Sequence, residues 1–326
     1  MLHNIVKLVY FFFLRVIAAI FPFRVAYLIA RVISMVAFLA ARKKRLMVQR
    51  EVERLFPGST RSRVDRIVKR TLEGFFQGEM EVFLYPRINK DNINRLVRCV
   101  GLQHLEDGLR GGRGTMLLFA HFGANQMIMP AIGYRGYRMS QLSAPATVWI
   151  ERLPEMKSTL VERMMLKHKW RNEQSLPVRH INIFGSLREA FMCLRRNDLL
   201  GIAIDGGSGR DTVEVDFLGR KAYFPTGAID MAIRTRCCVL PVFMLRNKDA
   251  TNTMIIEPPL EYRVDADKEA DIRYATQLFV SRLEHYVLKR PCHYMYFLAW
   301  RSFMVTKGDT PLLPPPFYSL PQGEGD

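Results

Sequence analysis

Residues 115–126 read TMLLFAHFGANQ, and this stretch decides the fold. Six residues without a charge, 115–120, follow the glycine-rich stop Gly111-Gly112-Arg113-Gly114, which suits a strand buried on both faces. The strand then gives way to His121 and a turn at Gly123, with a helix expected beyond. Similar apolar runs recur at 199–204 and 238–243, each preceded by a helical segment, 187–196 and 228–236. Helix alternating with buried strand is the pattern of an α/β domain with a mostly parallel or mixed central sheet.

The flanking chain fits that frame. Between residues 61 and 85, Val64, Ile67, Val68, Leu72, Phe75, Phe76, Met80 and Phe83 recur at helical spacing, with basic residues between them, so an amphipathic helix is expected. Residues 97–100 form a short strand candidate, 102–109 a helical turn, and 153–169 a further helix. Residues 254–256 suggest an edge strand and 267–289 a long surface helix. From Gly308 onward five prolines fall in 19 residues, the composition of a disordered tail. One main domain at 46–305 is expected, between an N-terminal helical segment at 1–45 and the tail at 306–326.

Charge divides the chain unevenly. Of a formal +17, residues 1–70 carry 15 basic against three acidic side chains, or +12, so the excess belongs to one end. Residues 5–41 are apolar apart from Lys7, Arg15, Arg24 and Arg31, and the run Arg42-Lys43-Lys44-Arg45 closes them. This is a membrane signature. A spanning helix needs about 20 mostly apolar residues, whereas the longest uncharged run, 32–41, has ten and Pro22 divides the segment. A kinked pair in the interface with snorkelling arginines suits the pattern; a tilted single span and a buried helix pair remain alternatives. The basic block points to the cytoplasmic side and to an anionic lipid surface.

Several classes are disfavoured. Five cysteines without C-x-x-C or Cys/His ligand spacing argue against a disulfide framework or a metal site. Neither phosphate loop nor dinucleotide fingerprint is present. Nucleic-acid binding would interleave basic and aromatic residues on a folded face, but here the basic cluster flanks an apolar segment.

Ligands of open α/β sheets gather beyond the carboxyl ends of strands, and two such ends carry polar groups. One is His121, a candidate general base toward a hydroxyl; a structural histidine with one hydrogen bond is the alternative. The other is Asp205, followed by Gly206-Gly207-Ser208-Gly209, a loop that also serves as an ordinary glycine turn.

The order of these features resembles the lipid A biosynthesis (lauroyl/myristoyl) acyltransferases within the lysophospholipid acyltransferase superfamily. The resemblance covers nearly the whole chain: the N-terminal apolar segment, LFP at 55–57, GEME at 78–81, GLQHL at 101–105 and GRG at 112–114. It continues through AHFGAN at 120–125, Asp205, FLGRKA at 217–222 with Thr226 and Gly227, VLPVF at 239–243 and YFLAWR at 296–301. Each piece is weak alone, and their collinearity carries the assignment.

The resemblance implies a glycerolipid-acyltransferase-like α/β domain at the cytoplasmic face of a bacterial inner membrane. It implies acyl transfer from an acyl carrier protein or CoA thioester to a hydroxyl of a membrane glycolipid or phospholipid, with no cofactor. In the family motif His-x-x-x-x-Asp/Glu the histidine is the base and the acid orients it. His121 matches the base, but the acid position is Gln126. An amide orients the ring without stabilising an imidazolium; in serine proteases the comparable change costs about 10⁴ in kcat, roughly 5–6 kcal/mol. Three outcomes stand open: Asp205 substitutes for the acid, the acceptor needs less activation, or the site binds lipid without turnover. Gly123, Gly206, Thr226 and Gly227 are expected to touch substrate, and Asn125 to bond substrate or the His121 turn, with a helix-terminal cap as the alternative. Arg171 is a candidate for an anionic headgroup, with a solvated surface arginine as the alternative.

Overall fold

The computed structural model describes residues 2–145, 148, 159–207, 211–264, 267–305 and 311–313. In chain order the helices are α1 (Leu2–Ile20), α2 (Phe23–Ala40), α3 (Arg42–Leu55), α4 (Arg61–Leu84), α5 (Ile93–Leu96), α6 (Leu102–Arg110), α7 (Ile128–Gly133), α8 (Leu160–Glu173), α9 (Arg188–Arg195), α10 (Gly227–Thr235), α11 (Lys268–Lys289) and α12 (Met295–Val305). The strands are β1 (Val97–Val100), β2 (Thr115–Phe119), β3 (Met139–Ser143), β4 (Arg179–Asn182), β5 (Leu199–Ala203), β6 (Thr212–Phe217), β7 (Arg220–Pro225), β8 (Cys238–Arg246) and β9 (Asn252–Ile256).

Seven strands form one mixed sheet in the order β1-β9-β8-β2-β5-β3-β4. β2 is buried along its whole length, as its unbroken apolar run requires. The five strands from β8 to β4 run parallel, while β9 pairs antiparallel with β8 and carries the parallel β1 on its far side. The edge position expected for 254–256 is therefore corrected: β9 is an inner strand, lengthened by the polar but buried Asn252. β3 (MSQLS) and β4 (RHIN) are too short and polar to announce themselves. A separate hairpin, β6-β7, turns through Leu218 and Gly219, both at positive φ, which is the geometry of a tight two-residue hairpin loop.

Helices cover both faces. One apolar cluster joins α3, α4, α10, α11 and α12 to the sheet, and another packs α5, α6 and α7 on the opposite side. α11 is the long surface helix expected, with Phe279, Val280, Leu283 and Val287 fully buried beneath its solvated face. Asp267 caps it, accepting from the N–H groups of Glu269 and Ala270 at 3.1 Å. Of the expected helix at 153–169, residues 153–158 lie outside the described residues and the rest belongs to α8, which opens with a capping box between Thr159 and Glu162.

The N-terminal segment folds as the kinked pair. α1 and α2 break around Pro22, which stands just before α2. Every fourth residue of α2, Ala26, Ala30 and Ser34, is buried together with Tyr27, so one face packs on α4. Leu28, Val32, Met35, Val36 and Leu39 are exposed on the other side. α2 is long and apolar enough to cross a membrane, with 18 residues of mean hydropathy 1.8. The boundary expected at residue 45 falls inside α3, whose Val48, Val52 and Leu55 enter the main core. At the other end, Leu312 and Leu313 are buried and Leu312 O accepts from Tyr223 N at 2.8 Å; residues 306–310 and 314–326 of the expected disordered tail lie outside the described residues.

Candidate active site

Register alone brings the two polar strand ends together. β2 and β5 are parallel neighbours with Phe119 opposite Ala203, so two residues further on His121 stands opposite Asp205. His121 Nδ1 lies 2.7 Å from Asp205 Oδ1, and the His121 backbone N–H donates to Asp205 Oδ2 at 2.8 Å. The carboxylate is completely buried, while the imidazole keeps 40% of its side-chain surface exposed.

Two aromatic residues from the C-terminal helical segment complete the arrangement. The Tyr294 hydroxyl donates to Asp205 Oδ2 at 2.9 Å, and burial together with that carboxylate holds the phenol pKa well above its ordinary value. Phe297 lies flat against the His121 ring, with centroids 4.4 Å apart and planes 4° from parallel. Asp205 thus accepts three hydrogen bonds, two of them from His121. A ring held at Nδ1 by a carboxylate and at its face by a phenyl has a fixed orientation, and a proton on Nδ1 leaves the Nε2 lone pair free.

Gly123 makes the turn after His121 sterically possible. Its φ is +64°, and a Cβ there would stand 1.9 Å from Met244 O, so only glycine fits without displacing backbone. The turn is tied down on both sides: Gly123 N–H donates to His293 O at 2.9 Å and Ala124 N–H to Met244 O at 3.1 Å.

His121 opens onto a cavity of about 440 Å³. Gly123, Asn125, Gln126, Gly206 and Gly207 line it, so the structure gathers most of the expected site. Residues 208–210 of the glycine loop lie outside the described residues. Gln126 belongs to the cavity wall, and its main-chain oxygen accepts from Tyr85 OH at 3.0 Å. Its Oε1 is buried and finds no hydrogen-bond partner among the described residues. Three expected residues are elsewhere: Arg171 is exposed on α8, and Thr226 and Gly227 begin α10, outside the cavity lining.

The sequence reading missed the opposite wall. Thr71, Gly74 and Gly78 share a face of α4 that lines the cavity together with Phe75, Glu79, Tyr296 and Trp300. Arg246, at the end of β8, lies against this face: a Cβ on Gly78 would approach Arg246 Nη2 to 3.3 Å. Arg246 forks onto Glu81, with Nη2 to Oε2 at 2.9 Å, and Tyr27 of α2 donates to Glu81 Oε1 at 2.6 Å. His293 also lines the cavity, and burial, reinforced by the charges of Arg246 and Arg290, pushes its pKa down to about 3. The GEME segment at 78–81 was a signal for this wall, but only the fold supplies its partners.

A family model described as bacterial lipid A biosynthesis acyltransferase matches residues 1–301. A phosphatidylinositol mannoside acyltransferase of Mycobacterium tuberculosis is 26% identical over 187 residues, 54% of each chain, so the match spans about half the length of that relative. A phosphatidylinositol mannoside acyltransferase of Mycolicibacterium smegmatis is 23% identical over 222 residues, 67% of this chain and 66% of the relative. The lipid A biosynthesis lauroyltransferase of Escherichia coli is 22% identical over 282 residues, 84% of each chain. With the match running through the N-terminal helices, the sheet and both strand ends, the chain belongs to the bacterial lipid A biosynthesis acyltransferase family.

Proposed function

We propose that the protein is a membrane-associated O-acyltransferase that moves a fatty acyl chain from a thioester, on acyl carrier protein or CoA, to a hydroxyl of a glycolipid or lysophospholipid. The hydrogen bond between His121 Nδ1 and Asp205 carries this reading. It supplies a carboxylate to the imidazole by a route other than the family's motif position, occupied here by Gln126.

In the proposed step the acceptor O–H gives its proton to His121 Nε2 while its oxygen attacks the thioester carbonyl carbon. Asp205 stabilises the imidazolium so formed. Collapse of the tetrahedral intermediate breaks the C–S bond, and the leaving thiolate takes the proton from His121, so charge and protons balance. Phe75, Tyr296, Phe297 and Trp300 give the cavity the apolar wall that an acyl chain would require. The exposed apolar faces of α1 and α2, next to the basic start of α3, support attachment to the cytoplasmic face of an anionic inner membrane.

The direct test is acyl transfer by the full chain from an acyl carrier protein thioester and from acyl-CoA to a panel of glycolipid and lysophospholipid acceptors. Product is expected with the wild type and none above background with His121→Ala. Equal inertness of both proteins across the panel, with lipid binding retained, would favour a lipid-binding relative without turnover.

A further inference from the structure

A second polar group adjoins the cavity, where α3, α4, α8 and α12 meet. Glu79, Phe75 and Tyr296 belong to the cavity wall. Phe75 and Tyr296 are in ring contact, with centroids 4.2 Å apart, and Lys44 Nζ lies 3.8 Å from the Phe75 centroid and 5.5 Å from that of Tyr296. From α8, Lys169 Nζ donates to Glu79 Oε2 at 2.5 Å. Lys169 thus pairs with Glu79 and its charge also acts on Glu173 of α8, while Lys44 faces the aromatic pair.

The two lysines are served differently. Lys169 is paired with Glu79, whereas Lys44 makes no ion pair among the described residues. An aromatic face compensates an ammonium for lost water only in part. Burial lowers the pKa of Lys44, the Glu79 charge raises it, and Lys169 lowers it again. A negative charge beside Lys44 would give it the ion pair that it lacks among the described residues. An acyl chain cannot supply it, but a phosphate ester can, with several acceptor oxygens able to bridge two point-charge donors.

We propose that Lys44 and Lys169 form a subsite for a phosphate ester carried by one of the two substrates, beside the cavity that holds His121. Its place in catalysis rests on the transfer reading above, whereas binding itself is measured without turnover. Two carriers share the chemistry: the headgroup of a phospholipid or phosphorylated glycolipid acceptor, and the pantetheine arm of the donor.

The experiment measures affinity of the full chain, in neutral detergent, for two matched pairs of probes: dihexanoyl phosphatidic acid against dihexanoylglycerol, and 4′-phosphopantetheine against pantetheine. The phosphorylated member of at least one pair should bind about tenfold more tightly. Discrimination in the lipid pair assigns the subsite to the acceptor, and in the pantetheine pair to the donor. Lys44→Gln and Lys169→Gln should each remove most of it, Lys44→Arg should retain part, and Lys90→Gln, in an exposed turn, should leave it intact. ¹⁵N signals of Lys44 and Lys169 in the wild type should move with the phosphorylated probe and not with its neutral partner, a readout independent of whether the variants fold. Equal affinity within both pairs, unmoved lysine signals, or full discrimination by a folded Lys44→Gln/Lys169→Gln protein would each overturn the subsite. Absence of acyl product alongside intact discrimination would count against the transfer reading and leave the subsite standing.

Discussion

Asp205 concentrates the chemistry on a single carboxylate. It accepts from the His121 side chain, the His121 backbone and Tyr294, and an amide in its place would turn an N–H₂ toward groups that are themselves donors. Asp205→Asn is therefore expected to lower kcat by about 10⁴ in the acyl-transfer assay, the size of the comparable change in a Ser-His-Asp site. Gln126→Glu is expected to change kcat by less than about tenfold, since Nδ1 already has its acid and a second carboxylate adds no new hydrogen bond to it; a gain approaching 10⁴ would instead mark Gln126 as the defect of a motif dyad. His121 and Asp205 were both legible as polar groups at strand ends. Their pairing was one of three open outcomes, and the alignment of β2 with β5, two strands 84 residues apart, decides it.

At the scale of elements, the loop after β2 and the end of β8 are locked by a backbone approach that excludes a side chain. Gly123→Ala would force a Cβ into Met244 O, and a loss of several kcal/mol is expected, read as a lower denaturation midpoint together with lost activity. α8 carries a different signal. Glu173, its last residue, has a pKa raised to about 7 by burial, only partly offset by Lys169, and a helix C-terminus also disfavours negative charge. Since the folded pKa lies above the unfolded one, its stabilising contribution is full below about 4.5 and is lost as pH rises through about 7. Glu173→Gln should remove that dependence: between pH 5 and 8.5 the wild-type melting temperature should fall relative to the variant's, by the equivalent of about 2 kcal/mol. Helices with regular apolar spacing, α4 above all, were readable from sequence. β3 and β9 were missed or misplaced because polar residues in them are covered by neighbours distant in the chain, and β4 because it is short and polar.

For the whole molecule, α1 and α2 are part of the fold as well as a surface for lipid. They cover Met80, Phe83 and Leu84 of α4, and Tyr27 reaches Glu81, which holds Arg246 at the cavity. Deleting residues 1–40 should therefore yield an aggregating or destabilised chain, with the Glu81–Arg246 pair left short of a hydrogen bond, and not the soluble domain that a simple anchor would leave behind. Aspartate at Val32, Val36 and Leu39, on the exposed face, should release the protein from anionic vesicles in a flotation assay with little change in melting temperature, because these side chains touch no core. If the truncated chain instead proved monomeric and as stable as the full one, the packing of α2 on α4 would be incidental.

The sequence by itself determined the α/β alternation, the apolar, basic N-terminal segment, the family and the two polar strand ends. These are written in local periodicity, composition and motif order, which need no knowledge of what lies alongside. Only the tertiary structure decided that Asp205, and not Gln126, meets His121, that Tyr294 and Phe297 brace the pair, that α4 and Arg246 wall the cavity, and that Lys44 and Lys169 stand beside it. Those choices depend on strand register and helix packing between segments far apart in the chain. A single sequence carries no local mark of either.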